Sequence, residues 1–138
     1  MATPDLLTCL LRDVSRSFYQ TLRVLPAGVR PQIGLAYLLA RITDTIADTE
    51  IVGFDGRMAA LDRLRTRIAA PNSGSVGLDT FIADTGAAQG SSAERRLLLR
   101  ADEALSVLDA LEQGDRRLIG NVLRTIISGQ ELDLRRFR

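Results

Sequence analysis

The chain has 138 residues, 46% hydrophobic and 25% charged, with 18 basic against 17 acidic side chains and a formal net charge of +1, which suits one ordinary domain and gives no global field for nucleic acid. Every basic residue is Arg, and Lys and His are both absent. That excludes a Ser-His-Asp or Cys-His nucleophile system, a P-loop or Schiff-base lysine and histidine-ligated zinc, so any chemistry must run on carboxylates, guanidinium, hydroxyls and metal.

The start, Met-Ala-Thr-Pro-Asp, lacks the positive charge of a secretion signal, and the apolar run Leu6 to Leu11 is cut by Arg12 and Asp13. The lone Cys9 reads as a reduced core residue, which together with the missing signal predicts a cytoplasmic protein. Nothing approaches the roughly 20 uninterrupted apolar residues that span a bilayer, so membrane contact would be peripheral. Aromatics are only 4% and Trp is absent, so a core must be built mainly from Leu, Ile, Val and Ala.

Thr3, Pro4 and Asp5 form a helix start, with a hydroxyl cap, proline in the first turn and an acid at the positive end of the dipole. This first helix is predicted to run to about Leu25. Pro26, Gly28 and Pro31 make a corner, after which Pro31 opens a second helix ending near Gly53. On it, Tyr37, Arg41, Asp44 and Asp48 recur at steps of four, three and four residues. At about 100° per residue they fall within roughly 60° of one another, with Leu35, Leu38, Leu39, Ile42 and Ile46 opposite. An amphipathic helix with a solvated side would show the same alternation. This polar side, however, is sparse in long flexible charges and carries the small Gly34, as a lined cavity would. Two carboxylates one turn apart repel unless a cation lies between them, and Asp44 with Asp48 offers the hard oxygens that Mg²⁺ accepts.

Asp55 looks like the cap of a third helix, with Met58, Leu61, Leu64 and Ile68 inward and Pro71 ending it. Asn72 to Gly77 reads as a loop, Leu78 to Thr85 as a short helix and Gly86 to Gly90 as a flexible connection. Ser91 and Glu94 form a capping box for a long fourth helix carrying Leu97, Leu98, Ala101, Leu105 and Leu108, stopped by Gly114. Asp115 caps a fifth helix with a broad apolar face of Leu118, Ile119, Val122, Leu123, Ile126 and Ile127. No strand pattern appears. Residues 1–138 are expected to form a single all-α domain, a bundle of these five numbered helices, with the short Leu78 to Thr85 helix besides, around one core.

Three blocks stand in order along this chain. They are Ser15-Arg16-Ser17-Phe18-Tyr19 with Leu25-Pro26 after it, the segment from Tyr37 to Asp48, and Gly129-Gln130-Glu131-Leu132-Asp133-Leu134. A lone DxxxD arises often by chance, but the ordered set resembles the squalene/phytoene synthase family over nearly the whole chain. The resemblance implies part of an isoprenoid-synthase-type fold and the head-to-head joining of two isoprenoid diphosphates, farnesyl favoured, through a cyclopropyl-carbinyl diphosphate intermediate. It implies that Asp44 and Asp48 hold Mg²⁺, with Mn²⁺ as a substitute, and that Arg41 binds diphosphate oxygens or holds Asp44. Ser15 and Ser17 would donate to the diphosphate, Phe18 would wall the prenyl tail or face a cation, and Tyr37 would orient diphosphate or stabilise a cation. Gln130 and Asp133 share a helix face, which would bring one of them to the cavity to bind substrate; the alternatives are ordinary helix-surface positions for the two serines, plain core for Phe18, a buried tyrosine hydrogen-bonded to a neighbouring helix for Tyr37, and helix-packing polarity for Gln130 and Asp133. The residues do not indicate whether reduction by NADPH follows.

The family builds its site from two facing acidic motifs, and Asp62, Asp79, Asp84 and Asp102 do not rebuild the second one. The resemblance therefore implies an N-terminal portion of a larger fold holding half the metal cage, incomplete or inactive alone. The alternative is a non-catalytic helical remnant or interaction subunit that needs a second chain carrying the missing motif. Marginal stability or homo-oligomerisation is expected, because a half-fold exposes apolar faces.

Overall fold

The computed structural model describes residues 9–85 and 92–137, and all the regular structure among them is helical. The elements are α1 (Leu11–Val14), α2 (Arg16–Arg23), α3 (Arg30–Asp48), α4 (Phe54–Ala69), α5 (Asp79–Thr85), α6 (Ser92–Leu99), α7 (Ala101–Asp109) and α8 (Gln113–Arg136). None of these helices is long and apolar enough to cross a membrane.

α3 is the axis of the fold. Leu35, Leu38, Leu39, Ile42 and Ile46 are all buried, as the periodicity requires, but Gly34, Thr43, Thr45 and Ala47 are buried as well. The helix therefore has a core on most of its circumference, with α2, α4, α6, α7 and α8 packed around it, and the polar line is what the packing leaves over. α8 runs parallel to α3: Gln32 Nε2 donates to Asp115 Oδ2 at one end (3.5 Å), and Gln130 Nε2 donates to Thr43 Oγ1 (3.0 Å) and Asp44 Oδ1 (2.6 Å) at the other. α4 runs antiparallel to both. Its Arg57 meets Ala47 of α3, while Arg65 pairs with Glu131 and Ile68 lies against Gly120 of α8.

Several boundaries differ from expectation. The first helix breaks at Ser15, which is extended (φ −153°, ψ 101°), and its Oγ accepts from Phe18 N at 3.2 Å. A serine that satisfies a free helical N–H restarts the helix as an N-cap instead of continuing it. The second helix ends at Asp48 because Thr49 leaves helical geometry (φ −81°, ψ 83°), and a turn closed by Val52 N to Thr49 O (3.1 Å) brings α4 back alongside. Gly53 rather than Asp55 occupies the cap of α4, and Asp55 sits in the first turn. The expected fourth helix bends at Arg100 (φ −102°, ψ 14°) into α6 and α7, although the ladder runs through it with Arg100 N to Arg96 O at 3.1 Å and Ala104 N to Arg100 O at 3.0 Å. α8 starts ahead of Gly114 and Asp115, which lie in its first turn. Its inward face is narrower than expected: Ile119, Gly120, Leu123 and Ile127 are buried, while Leu118 and Val122 are exposed. Cys9 is exposed rather than core, because Leu10 and Leu11 take the buried positions beside it. The cap at Thr3, the connection Gly86 to Gly90 and Ser91 of the capping box lie outside the described residues.

The 72–77 loop is tied down. Arg67 Nε donates to Gly74 O (2.7 Å), and its two Nη groups grip Asp109 at 3.2 and 2.5 Å. Asp109 also accepts from Asn72 N (3.0 Å), and Asp102 accepts from Ser75 Oγ (2.9 Å) and Val76 N (2.7 Å). Gly74 and Gly77 take φ of 100° and 76°, so glycine is what lets the loop lie against these carboxylates.

Candidate functional site

The polar line of α3 meets three different neighbourhoods. At its upper end Tyr37 stacks face to face on Phe18, with ring centroids 4.0 Å apart and planes 8° from parallel. The cap at Ser15 fixes the turn that carries Phe18, so Ser15 has a structural task here. Ser17 is exposed, and its carbonyl accepts from Thr21 Oγ1 at 3.1 Å.

One turn on, Arg41 lies between two acids: Nη1 is 4.0 Å from Asp44 Oδ2 and Nη2 is 4.0 Å from Glu94 Oε2. These are the outer limits of ion pairing, so Arg41 offsets charge without gripping either carboxylate, and its Nε is buried with no hydrogen-bond partner. Asp44 is held instead by Gln130. Its carboxyl titrates above the ordinary range because burial disfavours the charge; the Asp48 carboxylate adds to this, while Arg41 and the Gln130 hydrogen bond oppose it.

At the lower end, Asp48, Gln130 and Asp133 line one cleft of about 700 Å³ with Ala47, Glu50, Phe54, Arg57, Leu134 and Phe137. Gln130 thus joins the middle of the polar line to the cleft. Ser15, Ser17, Phe18, Tyr37, Arg41 and Asp44 do not line it. Sequence reasoning missed Glu50, Phe54, Arg57, Leu134, Phe137 and, higher up, Glu94. Five-residue connections such as 49–53 fold a helix back on its predecessor, and that signal could have drawn the start of α4 toward the site. Nothing local points to Glu94.

Among the described residues, no group of three or more His, Cys, Asp or Glu side chains is arranged to hold an ion, so an all-protein cage is absent there. Mg²⁺ usually takes one or two carboxylates and completes its octahedron with water and phosphate oxygens. Asp44 and Asp48 fit that second arrangement, and the charge on Asp44 that burial disfavours is what a cation would stabilise.

Two separated segments thus meet the line from Tyr37 to Asp48 at different heights: the Ser15–Phe18 turn through the Phe18–Tyr37 stack, and α8 through Gln130, whose neighbour Asp133 shares the cleft with Asp48. The family model described as squalene/phytoene synthase matches residues 11–138, which takes in all three. The chain belongs to the squalene/phytoene synthase family. Compared with curated proteins and with solved structures, it gives no significant match. Membership of the squalene/phytoene synthase family agrees with the all-helical architecture and places the chain among prenyltransferase-type proteins.

Proposed function

We propose that this chain binds an isoprenoid diphosphate through a divalent cation held on Asp44 and Asp48, and serves the head-to-head condensation of two such molecules, with farnesyl diphosphate the favoured substrate and Mg²⁺ the favoured ion. The observation that carries the reading is the Gln130–Asp44 hydrogen bond of 2.6 Å. It joins the acidic line of α3 to the α8 segment whose Asp133 shares a cleft with Asp48.

Breaking the bond between an allylic carbon and diphosphate leaves negative charge on the departing oxygens and positive charge on the prenyl carbon skeleton. A bound divalent ion would stabilise the first of these charges as a Lewis acid. The chain's own residues account for the rest. Gln130 fixes the orientation of Asp44, while Arg41 keeps the local charge from becoming prohibitive and keeps donors available for a phosphate oxygen. The Tyr37–Phe18 stack offers aromatic surface to the prenyl chain and its cation. Further ligands would be water, diphosphate oxygens or carboxylates outside the described residues.

The test is Mn²⁺ binding followed by electron paramagnetic resonance, with and without farnesyl diphosphate, paired with pyrophosphate release in Mg²⁺. The wild type should bind Mn²⁺ more tightly when the diphosphate is present. Asp44→Asn and Asp48→Asn should each weaken that binding by roughly tenfold or more. Equal Mn²⁺ affinity in the wild type and both variants would remove Asp44 and Asp48 from the site.

A further inference from the structure

The α3–α4 turn places Arg57, four residues into α4, against the end of α3. Its Nη1 donates to the carbonyl of Ala47 at 3.0 Å, one of the last-turn carbonyls that a helix cannot satisfy internally. That bond anchors the guanidinium at the wall of the 700 Å³ cleft. It is the side chain's single hydrogen bond among the described residues. Nε is buried with no partner, and Nη2 is uncommitted.

Asp48, Glu50 and Asp133 line the same cleft, but among the described residues no carboxylate pairs with Arg57. By contrast Arg67, which is buried, and Arg65 and Arg100, which are partly so, each hold a carboxylate at ion-pair distance. A guanidinium fixed at one corner, drawn partly out of water and left without an anion has the donor geometry for a phosphate group.

We infer that Arg57 binds a phosphate oxygen of the diphosphate that enters this cleft. The inference rests on the proposed prenyl diphosphate function and adds to it a residue from outside the polar line of α3. The charges of the cleft lining set a condition on that binding. One guanidinium against the three carboxylates of the lining leaves the cleft at −2, so a bare diphosphate is repelled and enters only with its divalent cation. Phe54, Leu134 and Phe137 on the same lining supply apolar wall for the first part of a prenyl chain.

Inorganic pyrophosphate is the probe, titrated calorimetrically in the presence and absence of Mg²⁺, while Mn²⁺ binding without pyrophosphate is followed by paramagnetic resonance. In Mg²⁺, Arg57→Gln should raise the pyrophosphate Kd by roughly 10- to 100-fold, the loss expected for a charge-assisted fork. Its Mn²⁺ affinity without pyrophosphate should be unchanged or tighter. Arg57→Lys keeps the charge and a donor for the Ala47 carbonyl but loses the fork, and so decides the matter if Arg57→Gln fails to melt cooperatively. Weaker pyrophosphate binding by Arg57→Lys, with a wild-type melt, supports the inference.

Wild-type pyrophosphate binding in the folded variants overturns it. A wild type that binds Mn²⁺ but no pyrophosphate also overturns it and leaves the metal site standing. A wild type that binds neither removes the proposed function and this inference together.

Discussion

At Asp44, partial burial together with the neighbouring Asp48 carboxylate outweighs Arg41 and the Gln130 hydrogen bond, and the carboxyl is held above its ordinary value of 3.8. For an acid raised in this way, the folded state keeps its proton over a pH window in which the unfolded chain has already lost it. The stability contributed by the protonated form is therefore lost as pH rises from 3.8 through the folded pKa, and above that Asp44 is a constant cost to the fold. Asp44→Asn keeps an oxygen for Gln130 and removes the charge. Without added cation it should melt higher than the wild type at pH 7, with the gain disappearing as pH falls toward 3. A gain of the same size at both ends of a pH series would show that the charge on Asp44 is not its source. The spacing of Asp44 and Asp48 was legible because both lie within one turn of a helix. The partner that holds Asp44 was not, since Gln130 stands 86 residues away and helical spacing describes neighbours only along one element.

The same limit explains which helices were read correctly. Apolar residues recur at helical steps straight through Ser15 and through Arg100, so the stripe identifies the buried face but carries no mark of where the backbone breaks or bends. Ser15 was legible as a polar residue and illegible as a cap, because capping depends on the φ and ψ of that one residue. On α8 the expected broad face over-counted: α3 and α4 approach from the side of Ile119 and Leu123, leaving Leu118 and Val122 outside. The 72–77 segment, legible from its composition only as a loop, is clamped by Arg67 and Asp109, whose side chains are 6% and 5% exposed. Breaking a buried pair strands the remaining charge. Arg67→Met should therefore cost about 3–5 kcal/mol in urea unfolding, while Arg67→Met with Asp109→Leu should recover much of the loss. A single variant costing under about 1 kcal/mol would mean that the pair is effectively solvated.

For the whole molecule, the class and the central helix were legible in the sequence, since a chain with no alternating stretch and one very apolar helix has few other ways to bury it. What emerges only in three dimensions is that the candidate site straddles the principal packing interfaces. Asp48 ends α3, Arg57 lies in the first turn of α4, and Gln130 and Asp133 lie late on α8, so anything seated in the cleft adds a further tie among three helices already joined by packing and a few side-chain bonds. Ligand binding should then stabilise the global fold. For a ligand that binds only the folded state, a hundredfold excess over Kd adds about 2.7 kcal/mol, and at roughly 3–4 °C per kcal/mol for a domain of this size the melting temperature should rise by about 10 °C. Because the lining carries three carboxylates and one guanidinium, Mg²⁺ alone should give a small rise, pyrophosphate alone none, and the two together more than their sum. Differential scanning calorimetry of the four conditions measures this directly. Stabilisation by pyrophosphate without Mg²⁺ would mean that the anion is held by arginines elsewhere on the surface, since this cleft repels an uncompensated anion.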